Sequence, residues 1–191
     1  MAFLIGGANS ASGGYEVSNS LRFNNPSDDN LAITFGSAGN RKTFTISAWI
    51  KRGNIADNRT LFGQGTASNP RGLFFLSDQQ VRITNNNSGS SNDMDIQTNA
   101  LLRDPSAWYH LVAAIDVTQS TDTNRVKIYI NGELQTSFAT STYPAQNTDL
   151  HWNNAVLHTV GRYPPSDTFH MDGYISEFYF IDGTQYAASD F

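Results

Sequence analysis

Apolar and polar residues alternate through much of this chain. The run WYHLVAAIDVT at 108–118 and the run RVKIYINGEL at 125–134 flank a short polar loop. The second contains Asn131-Gly132, a dipeptide that tolerates the positive φ angles of a tight hairpin turn, so the pattern predicts antiparallel strands joined by hairpins. The same reading places strands over 19–23, 31–35, 43–51, 59–64, 72–77, 80–84, 108–117, 125–131, 134–138, 156–161 and 172–181. Within 43–51, Phe44, Ile46, Ala48 and Ile50 share one face and form the predicted core, while Thr45, Ser47 and Trp49 share the other. Over 109–117 both faces are small or apolar, which predicts a strand covered on both sides. YISEFYFI at 174–181 reads the same way, as a central strand.

Composition supports strands over helices. Only three Glu and three Lys occur in 191 residues, whereas Asn, Ser, Thr, Gly and aromatics abound, the mixture of strands and long polar loops. The length fits one sandwich domain that can bury a core without staples. Cysteine is absent, which excludes disulfides, thiolate metal sites and a cysteine nucleophile. The net charge is −5 and the basic residues are scattered, apart from Arg41-Lys42 and Lys51-Arg52 at the two ends of one strand. Nucleic acid is therefore not an expected partner, since phosphate binding needs clustered cations. MAFLIGGANSASGG at the start has too brief an apolar run, and no preceding Lys or Arg, for a signal peptide. It reads as mature sequence, and no apolar segment is long enough for membrane insertion.

The motifs occur in a familiar order. FTISAWIKR at 44–52, LFGQG at 61–65, the WYH strand at 108–118 with the KIYINGE strand and turn, HTVGR at 158–162 and MDGYISEFYFIDG at 171–183 together resemble the laminin-G-like domains of the concanavalin A-like jelly-roll group. The resemblance implies an all-β fold, a two-sheet antiparallel β-sandwich of the jelly-roll type. It sets residues 1–16 apart as an N-terminal extension and 17–191 as the domain. The closing segment YISEFYFIDGTQYAASDF and the opening MAFLIGGANSA are also similar to laminin-G-like domains of tailed-phage and other virion structural proteins.

Function on such a scaffold belongs to loops at its edges. The candidate loops are 84–99, 140–154 and 163–170. Their aromatic rings could stack on the apolar face of a sugar while amides and carboxylates satisfy its hydroxyls. The candidate glycan-binding residues are Asn87, Asp93, Asp95, Tyr143, Trp152, Tyr163 and His170. The competing reading is that Trp152 and Tyr143 plug the ends of the sandwich. Trp49 and Trp108, embedded in strand motifs, read as packed, as does His110 of the WYH motif, where the resemblance implies a structural role.

Catalysis is not expected. In jelly-roll glycoside hydrolases the resemblance leads one to look for Glu, Asp and Glu spaced along one strand. Here Glu16, Glu133 and Glu177 are far apart. The histidines lack zinc spacing, and no nucleophile elbow is present. Hard oxygen ligands for Ca²⁺ are plentiful, at Asp28-Asp29, Asp93, Asp95, Asp167, Asp172 and Asp182. Relatives, however, place a metal-binding Asp in the last strand, where this chain has Ser176 before Glu177, so no metal ligand and no cofactor is assigned. The expected function is a non-enzymatic carbohydrate-binding domain, contacting cell-surface glycans from the virion surface in an extracellular setting. It would sit beside other virion structural subunits as a homo-oligomer. The alternative is a structural decoration or assembly domain with no glycan ligand.

Overall fold

The computed structural model describes residues 19–65, 71–86, 93–164 and 168–191. Thirteen strands occur among them: β1 Leu21–Phe23, β2 Leu31–Thr34, β3 Thr43–Arg52, β4 Arg59–Gln64, β5 Gly72–Phe75, β6 Gln80–Asn85, β7 Met94–Leu101, β8 Tyr109–Asp116, β9 Val126–Ile130, β10 Glu133–Leu134, β11 Phe138–Thr142, β12 Leu157–Val160 and β13 Gly173–Asp182. They form a six-stranded sheet ordered β1-β13-β3-β8-β9-β10 and a seven-stranded sheet ordered β11-β7-β6-β5-β4-β12-β2. The pairings are antiparallel, giving the expected two-sheet sandwich. Among the described residues no helix is long and apolar enough to cross a membrane.

The core lies between the sheets. Phe44, Ile46, Ala48 and Ile50 of β3 are fully buried and meet Leu61, Leu73, Phe75, Ile83 and Ile96 from the opposite sheet. Asn131 and Gly132 take φ of 52° and 85° and close the β9–β10 hairpin, with Ile130 opposite Glu133. Both angles are positive, as the tight turn requires.

Two regions read as loops are strands. Residues 94–101, which overlap the 84–99 segment, are β7: Met94 and Ile96 point into the core and the intervening Asp95 and Gln97 face outward. The density of Asn and Ser before them masked a short alternation that the sheet completes. Thr98 is buried as well, its hydroxyl accepting from the Val81 amide where the β6–β7 register slips. In the same way residues 140–142, at the start of the 140–154 segment, belong to β11, an edge strand that pairs with β7.

The outer face of the six-stranded sheet is partly covered by the chain that follows β13. Thr45 donates to the Thr184 carbonyl at 2.7 Å and accepts from the Tyr186 amide at 2.9 Å. The Gln185 amide nitrogen reaches the Asn124 carbonyl at 2.9 Å. Ala188 packs on Val112 and Ala114 of β8. This C-terminal strap is why Thr45, Ser47, Val112 and Ala114 are buried although they point away from the main core. It also accounts for β8 being covered on both faces.

β13 carries the other feature that shapes this face. Ser176 pairs with Trp49 and Tyr179 with Ser47, so Glu177 and Phe178 both stand opposite Ala48. The extra residue is a β-bulge, with Glu177 at φ 47°. Side chains alternate with period two in a regular strand, so without the bulge Glu177 would point inward and Phe178 outward. With it, Phe178 packs against the core and Glu177 joins Tyr179 on the outside.

Candidate functional site

A pocket of about 460 Å³ opens on this outer face, between the sheet and the strap. Its floor is Ser47 and Trp49 from β3 and His110 from β8, and one wall is Glu177, Tyr179 and Ile181 from β13. Tyr186, Asp190 and Phe191 of the strap make the opposite wall. The indole of Trp49 stacks on the His110 ring, centroids 5.0 Å apart and 22° from parallel. His110 Nε2 and Ser47 Oγ share a hydrogen bond of 3.0 Å. Phe191 lies 6.0 Å from the rings of both His110 and Tyr179 and 6.1 Å from Tyr186. Tyr179, Tyr186 and Phe191 each keep about two-fifths of their surface exposed, at 42%, 37% and 41%. The Tyr179 hydroxyl donates to Glu177, and Asp190 accepts from the Ala187 amide of its own turn.

His110 is packed, as the sequence suggested, but it is also part of this floor. Trp49 and Trp108 depart from the packed expectation: Trp49 is half-buried under the pocket, and Trp108 is 38% exposed beside Tyr174. Burial lowers the pKa of His110, and burial lowers that of His158 among Phe35, Phe62 and Phe180. Both rings therefore resist a proton that they accept once unfolded, near the ordinary value of 6.5. Stability is full above that value and is lost as pH falls through it toward the lower folded values. Melting temperatures measured between pH 7.5 and pH 5 should decline on the acid side, with a shallower decline in His158→Gln. An unchanged slope in that variant would assign the acid sensitivity elsewhere.

The residues singled out from the sequence lie elsewhere. Asn87 is outside the described residues. Asp93, Asp95 and Trp152 gather at the β6–β7 hairpin: Asp93 accepts from the Asn85 side chain at 2.8 Å, Asp95 is opposite Thr84, and the Trp152 indole donates to the Thr84 carbonyl at 3.0 Å. Trp152 is fully enclosed between Phe44 and Phe62, so neither face of its ring is open to a sugar. Asp95 is held by the Arg82 guanidinium, with Nε donating to Oδ1 at 2.8 Å, and this pairing raises the Arg82 pKa. Tyr163 is buried against Phe74 and Phe169, and burial raises its pKa. His170 is buried with Nε2 3.5 Å from Asp28 Oδ1. Tyr143 lies apart, its pKa raised by burial, along a groove of about 620 Å³ that includes Phe138 and Gln135. The structure thus brings three of these residues together around buried polar pairs and leaves the others separate.

The pocket residues were missed because they sit on strands and on the strap rather than in long loops. Trp49 could have been found from its parity, since it shares a face with Thr45 and Ser47. At the last-strand position the Ser176 hydroxyl donates to the Asn19 carbonyl. Among the described residues no group of three or more His, Cys, Asp or Glu is arranged to hold a metal ion.

A family model described as the concanavalin A-like lectin/glucanases superfamily, of laminin G type, matches residues 18–188. No curated protein matches the sequence. Among solved structures, the chain is similar to a heptameric SAP-like pentraxin from Limulus polyphemus, at 14% identity and TM-score 0.58, covering 83% of this chain and 73% of that one. Domains LG4-5 of the mouse laminin alpha1 chain align at 16% identity and TM-score 0.55, over 86% of this chain and 41% of theirs. The Ruminococcus gnavus IT-sialidase CBM40 bound to α2,3-sialyllactose aligns at 13% identity and TM-score 0.56, over 85% of this chain and 95% of the other. At these identities the likeness is one of fold.

Proposed function

The chain belongs to the concanavalin A-like lectin/glucanases superfamily, and on that premise we propose that it is a non-enzymatic carbohydrate-binding domain whose ligand site is the pocket on the outer face of the six-stranded sheet. The observation that carries the reading is the meeting of Trp49, Tyr179, Tyr186 and Phe191 with Ser47, Glu177 and Asp190 in one open pocket. Partly exposed rings offer flat faces to the C–H side of a pyranose, and hydroxyl and carboxylate oxygens take its hydroxyl protons. The structural neighbours include a carbohydrate-binding module seen with a sialylated sugar, which supports glycan binding on this fold.

Binding without cleavage fits the carboxylates present. A glycosidase works with two carboxyl groups of which one, the general acid, sits in an apolar site, whereas here Asp190 is exposed and engaged in its own turn and Glu177 accepts from the Tyr179 hydroxyl. The setting we propose is the surface of a virion, outside cells, supported by the resemblance of the closing segment to virion structural domains. Presentation in many copies, alone or beside other virion subunits, would turn weak monovalent contacts into avid ones, and the pentraxin that shares the fold is heptameric. No cofactor enters this proposal.

A glycan array probed with the multimerised domain tests it. Specific signal is expected on cell-surface glycans, reduced at least about tenfold in Tyr179→Ala and in Trp49→Ala, since stacking rings carry much of such affinity. Chelation of divalent cations should leave the signal intact. A blank array from folded protein would favour the structural decoration reading instead. That alternative draws on Leu21, Leu31 and Ile33, which lie on edge strands β1 and β2 and are at least half exposed, at 54%, 50% and 55%. They form an apolar margin of the kind that packs against another subunit.

A further inference from the structure

We propose that the outer-face pocket selects glycans bearing a free, protonated amine, hexosamine units without an N-acetyl group, and discriminates against carboxylated sugars. This rests on the reading of the pocket as a glycan site and assigns its ligand class. The argument is one of charge and ring chemistry. Two carboxylates, Glu177 and Asp190, stand on opposite walls, and neither Lys nor Arg is among the lining residues. The one nitrogen base in the floor, His110, is buried, and burial disfavours its protonated form, so it is poorly suited to meet an acidic sugar. A sialic acid or uronic acid entering here would bring a third negative charge beside these two carboxylates, in a chain whose net charge is already −5.

An ammonium group meets the opposite situation. Each carboxylate attracts it, and the rings of Trp49, Tyr179, Tyr186 and Phe191 line the same pocket, where an exposed ring face attracts a cation through its quadrupole. The position of Glu177 is specific to this arrangement: only the bulge turns it to the outer face beside Tyr179. Glu133, an exposed acid of the two-residue strand β10 on the same sheet, is not among the lining residues of the pocket.

The test is titration calorimetry of the whole chain with three probes: a glucosamine tetramer, its fully N-acetylated twin, and α2,3-sialyllactose. The expected result is a preference of at least about tenfold for the free-amine tetramer over its twin, as cation–π and ion-pair contacts of this kind allow. Sialyllactose should be the weakest of the three. The preference should shrink as salt is raised, because the partners are open to solvent. Glu177→Gln should reduce the preference ratio severalfold, while Glu133→Gln, which changes net charge equally, should leave it unaltered. Equal binding of the two tetramers, or stronger binding of sialyllactose, overturns the ligand class while leaving a glycan site. Absence of binding by all three probes, together with a blank array, overturns the glycan site and this inference with it.

Discussion

Gly173→Ala is expected to cost the domain more than about 4 kcal/mol, or to prevent recovery of folded protein altogether, because overpacking and a strained backbone act together. Gly173 opens β13 with φ at 142°, a region in which L residues are rarely found, and a methyl group there would lie 2.1 Å from the Lys51 carbonyl oxygen and 2.9 Å from the Gly53 amide. Neither atom can yield cheaply. Lys51 is in β3, which pairs with β13 on one side and β8 on the other, and the Gly53 amide donates to the Asp172 carbonyl at 2.8 Å. Gly132→Ala is the matched comparison: its φ of 85° is also positive, but nothing lies within 4 Å of the added carbon, so about 1 kcal/mol is expected. Denaturant unfolding of the two variants side by side checks the claim. Similar midpoints would mean that the close approach at Gly173 is relieved by small shifts.

The second large effect is at Trp152. Its indole fills the space between Phe44 and Phe62, with ring centroids 6.0 and 5.6 Å away, and donates inside the core to the Thr84 carbonyl. Trp152→Ala removes the largest enclosed side chain and should destabilise by about 3–5 kcal/mol. For a domain of this size that corresponds to a melting temperature lower by roughly 10 °C. Trp152→Phe keeps an aromatic contact and loses the hydrogen bond, so a smaller loss of about 1–2 kcal/mol is expected. Thermal melts decide between packing and ligand contact: a Trp152→Ala variant that melts like the parent but fails to bind glycan would return this residue to the surface role first read from the sequence.

The strand pattern was legible because alternation and burial are the same fact seen twice. Phe44, Ile46, Ala48 and Ile50 share a parity in the sequence and a core in the structure. The Asn131-Gly132 turn was legible because few dipeptides accept its angles. β7 was not, since Asp95 and Gln97 between apolar neighbours look like loop residues until an adjacent strand and Arg82 give them partners. The pocket was least legible. Its floor residues carry strand signals that read as core, its far wall is a strap that returns across the sheet by long-range contacts, and one of its two acids, Glu177, is displaced from regular parity by an insertion of one residue. Aromatic and amide content in loops pointed to sugar chemistry, but content does not specify convergence, and Trp152, Tyr163 and His170 turned inward where hydrophobic burial and buried polar pairs favour them.

The bulge in β13 makes Glu177 a detachable residue. Deleting it would bring Phe178 directly opposite Ala48 and leave Ser176 opposite Trp49 and Tyr179 opposite Ser47, so the hydrogen-bonded sheet would close without re-registering and the aromatic floor would remain. A single-codon loss or gain at this point therefore alters the charge of the pocket while sparing the scaffold.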